Sequence, residues 1–166
     1  MTAHQDRASL LAEAVALRVA DRTEEARQRL LALGERFPED AEIAYQSAWA
    51  HDRLGLEAQA VPFYEKALAG ELSATDRRGA LLGLGSTYRV LGRYEEAVRT
   101  LRTGRDEFPA DGALRTFLAM ALYNVGQAHE GMQLLLHLLA ETSEDAGVRQ
   151  YRAAIGYYAK DLDETE

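Results

Sequence analysis

Histidines and carboxylates are the side chains of this 166-residue chain that could bind a metal or move a proton. The four histidines are His4, His51, His129 and His137, and no two stand four residues apart. That spacing is what lets two imidazoles on one helix face share a zinc ion. There is no cysteine, so thiolate ligands, disulfides and cysteine nucleophiles are excluded. His51, and His137 within the run LLLHLL, have no Ser, Cys or paired carboxylate beside them to suggest a triad, and both read as packed helix residues. Gly83-Leu84-Gly85 has the composition of a phosphate loop, but no preceding strand, no third glycine at the required offset and no lysine follows it. Its glycines read instead as small residues that let helices approach. Carboxylates such as Glu24-Glu25 and Glu95-Glu96 are spread over solvated faces. No catalytic residue, cofactor or metal site is expected, and the chain is not read as an enzyme.

What must such side chains be mounted on? Hydrophobic residues make up 47% of the chain and charged residues 28%, the balance of a globular domain. Leu and Ala dominate and proline occurs only three times, which favours helix over sheet. The formal charge of −8 opposes nucleic-acid binding, which needs a basic footprint. Charged residues interrupt every apolar run, so neither a leader nor a membrane span is expected. Absence of cysteine suits a cytoplasmic location. Asp161, Asp163, Glu164 and Glu166 form an acidic tail.

The segment LGRYEEAVRTL at 91–101 carries a glycine between two helix-forming stretches, at a cost of about 1 kcal/mol were it inside a helix. Gly92 belongs to a column: Asp21, Gly55, Gly92 and Gly126, at intervals of 34, 37 and 34. Ala26, Ala60, Ala97 and Gly131 repeat that rhythm, as do Pro38, Leu72, Pro109 and Ser143. Each interval reads as helix, tight turn, helix. Glycine ends the first helix. The small residue five positions later marks where two helices cross. Asp40 and Asp111, each two residues after a proline, are placed to cap the next helix. Ser73 with Asp76 starts a helix in the same way, and three inserted residues before the third unit should lengthen its first helix by one turn. Pro62 falls inside a second helix, which must start late or bend on its outer face.

The turn and second helix LGLEAQAVPFYEKAL at 54–68, LGRYEEAVRTLRTG at 91–104, and the first helix LLGLGSTY at 81–88 resemble the tetratricopeptide repeat, a 34-residue helix–turn–helix unit. The resemblance implies an all-α fold in one domain over 1–166, of the small stand-alone bacterial type. Repeats fall at 7–40, 41–74, 78–111 and 112–145, in a right-handed superhelical α-solenoid. The first repeat departs from the pattern, with Asp21 for the turn glycine and Glu13 where leucine is usual. Val148, Tyr151, Ile155, Tyr158 and Leu162, spaced 3, 4, 3 and 4, predict a single amphipathic capping helix over 145–161. It would be the ninth helix, covering the apolar face that stacked repeats leave open.

The resemblance further implies that first helices line a concave surface for a protein or peptide partner. Carried onto this chain, the groove positions include Leu11, Val15, Arg18 and Val19; Tyr45, Trp49, Asp52 and Arg53; Leu82, Ser86, Arg89 and Val90; and Thr116, Met120, Tyr123 and Asn124. Of these, Leu11, Val15, Tyr45, Trp49, Arg53, Leu82, Arg89, Met120 and Tyr123 are the expected partner-binding residues. Trp, Tyr and Arg most often dominate interfaces. Glu57, on an outer helix, is expected at the rim. The Leu11, Val15, Val19, Leu82 strip should need a cover. The positions of a chaperone-tail clamp hold Leu11, Val15, Gln46, Gly79 and Gly83, none of which matches that subclass. The expected function is an interaction scaffold; a homodimer using the groove or terminal helices is the alternative, and an enzyme or metal protein on a helical scaffold a remote one.

Overall fold

The computed structural model describes residues 3–163, with side chains from Asp6 onward, so the His4 side chain and Glu164 to Glu166 lie outside the described part. Among the described residues there are ten helices and no strand: α1 (Ala3–Val19), α2 (Thr23–Arg36), α3 (Ala41–Arg53), α4 (Glu57–Ala69), α5 (Ala74–Val90), α6 (Tyr94–Glu107), α7 (Gly112–Asn124), α8 (Ala128–Thr142), α9 (Ala146–Gln150) and α10 (Arg152–Tyr158). The first eight form four antiparallel pairs. Each helix packs on the next, and the first helices touch in series, α1 with α3, α3 with α5 and α5 with α7. This is an all-α solenoid.

The turn column has a backbone cause. Asp21, Gly55, Gly92 and Gly126 have φ of 59°, 72°, 74° and 76°. Only this left-handed conformation reverses the chain so tightly, and glycine alone adopts it without strain. The small-residue column is equally physical. Ala26, Ala60 and Ala97 are wholly buried. A Cβ on Gly131 would stand 2.9 Å from the carbonyl oxygen of Ala119, so the fourth pair crosses more closely than the others. Asp40 accepts from the Ile43 N–H at 3.1 Å, Asp111 from Leu114 at 2.8 Å, and Ser73 from Asp76 at 3.1 Å. Each thereby satisfies a donor the helix start leaves unpaired.

Helix α5 has 17 residues against 13 in α3 and α7, the extra turn expected from the insertion. Helix α4 begins at Glu57 and runs through Pro62, so it does not start late. Pro62 and Ala58, whose carbonyl it leaves unpaired, are both exposed, and water can take the missing bond. The core is laid down between the pairs: Leu11, Leu30, Leu33 and Ile43 at one end, and Tyr64, Leu84, Leu101, Leu114, Leu118 and Leu122 in the middle.

The single capping helix is corrected. The chain breaks at Tyr151 into α9 and α10, neither of which buries a residue within its span. The repeat register explains why. Ser47, Leu84 and Leu118 occupy one buried position on three successive first helices, and 34 residues beyond Leu118 stands Arg152. A guanidinium cannot be buried there without a partner. Arg152 stays exposed and donates to the Ser143 carbonyl oxygen at 3.5 Å.

Candidate functional site

The first helices α3 and α5 form the walls of an open cavity of about 610 Å³, with α4 and α7 contributing at its edges. Tyr45, Trp49, Asp52 and Arg53 come from α3, spaced so that one helix face presents them all. Leu82, Ser86, Thr87 and Val90 come from α5. The cavity exists because Gly79 and Gly83 lie one turn apart on α5. Side chains there would collide with the rings of Tyr45 and Tyr64, and a Cβ on Gly83 would stand 2.5 Å from Tyr64 Cζ. Gly83 and Gly85, read as small residues that let helices approach, are both packing residues: a Cβ on Gly85 would collide with the Leu101 side chain.

Trp49 is half-buried, with the Arg18 guanidinium carbon 4.3 Å from its ring centroid. An arginine over an indole face is a cation–π contact that holds the ring in place. The buried Nε atoms of Arg18 and Arg89 have no hydrogen-bond partner among the described residues. Beneath the opening, Tyr64 donates to Asp52 at 2.8 Å, and the Thr87 hydroxyl lies 2.8 Å from both Asp52 oxygens. Burial pushes the Asp52 carboxyl up from its ordinary range, against the opposing pull of the Thr87 and Tyr64 hydroxyls. Burial, and then the neighbouring Asp52 charge, hold the Tyr64 phenol well above the usual tyrosine range. These polar groups tie α3, α4 and α5 together.

Of the expected partner-binding residues, Tyr45, Trp49, Arg53 and Leu82 meet around this cavity. Arg89 does not line it and reaches Asn124 of α7 instead, at 3.5 Å. Met120 and Tyr123 are exposed on α7 beyond it. Leu11 is only 4% exposed and belongs to the core, and Val15 packs partly against that core. The supposed apolar strip therefore does not form: the α1 face carrying Leu11 and Val15 turns to α2 and α3, leaving Val19, which is 77% exposed, and the half-buried Leu82 on the cavity wall. Glu57, in the first turn of α4, lines the cavity at its edge. Phe117 and Tyr64 also line it, outside the positions read from the repeat pattern. The paired glycines on α5 were the available signal for them, since a missing side chain on one helix face opens space to the residues behind.

The histidines follow their packed readings. His51 is buried, hydrogen-bonds through Nδ1 to the Ser47 carbonyl at 2.7 Å and stacks on Phe63. His137 is half-buried. His129 comes together with Asp161 and Asp163, their ligand atoms within 4.8 Å of one another, but all three are exposed. No described helix is long and apolar enough to cross a membrane.

Paired helices stacked in register, a left-handed residue at every intrapair turn and a wall of first helices define a helical-repeat solenoid. The tetratrico peptide repeat family model matches residues 41–162, and the chain belongs to that family. MamA, from residue 41 to its end, of Desulfovibrio magneticus RS-1 superposes with a TM-score of 0.73 at 21% identity, over 94% of this chain and 87% of that one. YrrB, described as a TPR protein with an unusual peptide-binding site, gives 0.72 at 19% identity, over 93% and 78%. PilF of Pseudomonas aeruginosa gives 0.69 at 19%, over 95% and 71%. These likenesses show the fold. In sequence, the human protein O-mannosyl-transferase TMTC1 is 30% identical over 107 residues, 64% of this chain but 12% of that protein's length. The family's fold is in general a protein-interaction scaffold.

Proposed function

We propose that this chain is a non-enzymatic scaffold that holds a protein or peptide segment in the cavity between α3 and α5, in a cytoplasmic setting. The observation that carries this reading is the convergence of Tyr45, Trp49, Arg53 and Leu82 on one open depression. An aromatic anchor held by Arg18, with an apolar wall and an arginine at the edge, suits a segment bearing a large apolar residue beside a carboxylate. The description of YrrB as having a peptide-binding site supports use of this fold for peptides.

The test has two readouts on each variant. Partners captured from extract are identified by mass spectrometry, and the affinity of one purified partner is measured for wild type, Trp49→Ala and Arg53→Ala. Trp49→Ala should weaken binding about thirtyfold, the effect of losing a central hot spot of about 2 kcal/mol. Melting temperature should change little. A loss of about 3–5 kcal/mol of fold stability, with normal affinity per folded molecule, would make Trp49 a packing residue and remove the groove from the mechanism.

A further inference from the structure

Most arginines of this chain are neutralised by a neighbour. Arg7 meets Asp40 at 2.7 Å, Arg77 meets Glu107 at 2.6 Å and Arg102 meets Glu130 at 2.7 Å. Arg18 and Arg89 are half-buried and have no carboxylate partner among the described residues. Arg18 touches the Trp49 ring and Arg89 the Asn124 side chain, and the Nε of each is buried without a hydrogen-bond partner. Carboxylates are not scarce, since Asp and Glu number 27 against 19 Lys and Arg. The other arginines without one, Arg99 and Arg152, are exposed to water. A partly desolvated cation left unpaired is costly, and a carboxylate from outside the chain would relieve that cost.

Arg18 and Arg89 hold the repeat position of Asp52, which lines the cavity between α3 and α5. Arg18, Arg53 and Arg89 occupy the last turns of α1, α3 and α5, so three cations stand along one edge of the wall of first helices. Those helices touch in series. Packed helices lie about 10 Å apart, which sets Arg18 and Arg89 about 20 Å apart, the reach of about six extended residues. Trp49, on the middle helix and one turn from Arg53, stands between them. Of the carboxylates at this edge, Asp52 accepts from Tyr64 and Thr87, and Asp21 lies 3.9 Å from Arg53. Glu57, at the α4 side of the cavity, has no ion pair among the described residues.

We infer that the groove selects an acidic segment, with one carboxylate on Arg18, another on Arg89 and a large apolar residue between them against Trp49. This rests on the cavity between α3 and α5 being the binding surface, and adds the charge and spacing of what it holds. A guanidinium lying on an indole face keeps N–H groups along its edge for a carboxylate. Guanidinium–carboxylate bonds are charge-assisted, so each end of the segment is held more firmly than a neutral amide would be. Glu57 opposes the segment on the α4 side.

The sole tryptophan, Trp49, reports occupancy through its own emission. The probes are three amidated hexapeptides with Leu-Phe at the centre and Asp or Glu, Asn or Gln, or Lys at the other positions. Wild type should bind the acidic peptide saturably, and the Asn/Gln peptide about tenfold more weakly or worse. Arg18→Gln and Arg89→Gln should each weaken the acidic peptide about tenfold and leave the Asn/Gln peptide unchanged. Glu57→Gln should tighten the acidic peptide, and Arg99→Gln, the same charge change on the exposed surface of α6, should do nothing. Should Arg18→Gln lower the melting temperature, Arg89→Gln decides. If the Asn/Gln or Lys peptide binds as tightly as the acidic one, or the arginine variants bind normally, the inference is overturned while the groove remains a peptide site. If no peptide changes Trp49 emission, the groove reading falls and takes the inference with it.

Discussion

The hydroxyl of Thr87 lies 2.8 Å from both carboxylate oxygens of Asp52, 35 residues earlier and one repeat away. The same carboxylate accepts from Tyr64 of α4, so one ionisable group joins three helices under the candidate groove. Burial shifts its carboxyl upward, and that direction sets the sign of the pH effect. The folded chain holds that proton more tightly than the unfolded chain. This contribution to stability is therefore complete below the ordinary value of 3.8 and is lost as pH rises through the folded value. Asp52→Asn keeps an acceptor for Tyr64 without the charge. It should melt higher than wild type at pH 7 and lose that advantage near pH 3. Asp52→Ala leaves Tyr64 and Thr87 without their partner and should cost about 1–3 kcal/mol. Thermal melts of the three proteins across pH measure both effects.

Two glycine positions separate packing from helix propensity. A Cβ on Gly34 of α2 meets nothing nearer than Ile43 Cγ2 at 4.0 Å, whereas on Gly83 it would overlap the phenol ring of Tyr64. Gly34→Ala should stabilise by about 0.5–1 kcal/mol, the propensity gain alone. Gly83→Ala should destabilise by about 1–3 kcal/mol in spite of the same gain, because Tyr64 is wholly buried and cannot swing away. Equal denaturation midpoints would show that the α4–α5 contact is looser than the geometry requires.

The pair architecture was legible in the sequence because its causes are local. A left-handed turn demands glycine at 55, 92 and 126, and a close crossing demands a small residue five positions on. The groove was legible only in part. Tyr45, Trp49, Arg53 and Leu82 follow from helical register, but Phe117, Tyr64 and Glu57 enter through the spacing between helices, which no single-helix pattern encodes. Leu11 was misplaced because the register alone does not show which apolar face of α1 turns inward. The broken cap was misread for a different reason. The 3, 4, 3, 4 apolar spacing of 148–162 is real, yet the repeat register runs through a different set of positions, and Arg152 sits at the one that must be buried.

The turn column predicts an asymmetry between two substitutions. Asp21 adopts φ of 59° with a Cβ, while Gly92 adopts 74° without one. Asp21→Gly should stabilise by roughly 0.5–1 kcal/mol, since a non-glycine residue is strained in this region. Its contact with Arg53, at 3.9 Å between exposed groups, is too weak to offset the gain. Gly92→Ala should cost about 1 kcal/mol or more, although nothing lies within 4 Å of the added Cβ. Chemical denaturation of both variants, with m-values compared to exclude denatured-state changes, checks the sign of each.

Arg152 is the test of why the solenoid ends as it does. At the equivalent position of the three preceding repeats stand Ser47, Leu84 and Leu118, all buried between helix pairs. Arg152→Leu restores a residue that the neighbouring α8 surface can cover. Val148 and Ile155, at positions matching Leu114 and Ala121, already supply apolar contact on the same face. The substitution should let 146–158 join as one helix across Tyr151 and dock over Met132 and Leu135. Burying one leucine side chain contributes about 1.5–3 kcal/mol, less whatever ordering the segment costs. Helical circular dichroism should therefore increase, melting temperature should rise, and amide exchange across 148–152 should slow. An unchanged melting temperature with unchanged exchange at Tyr151 would mean that Arg152 is not what breaks the cap, and Gly156, at the position of Leu122, would be the next residue to replace.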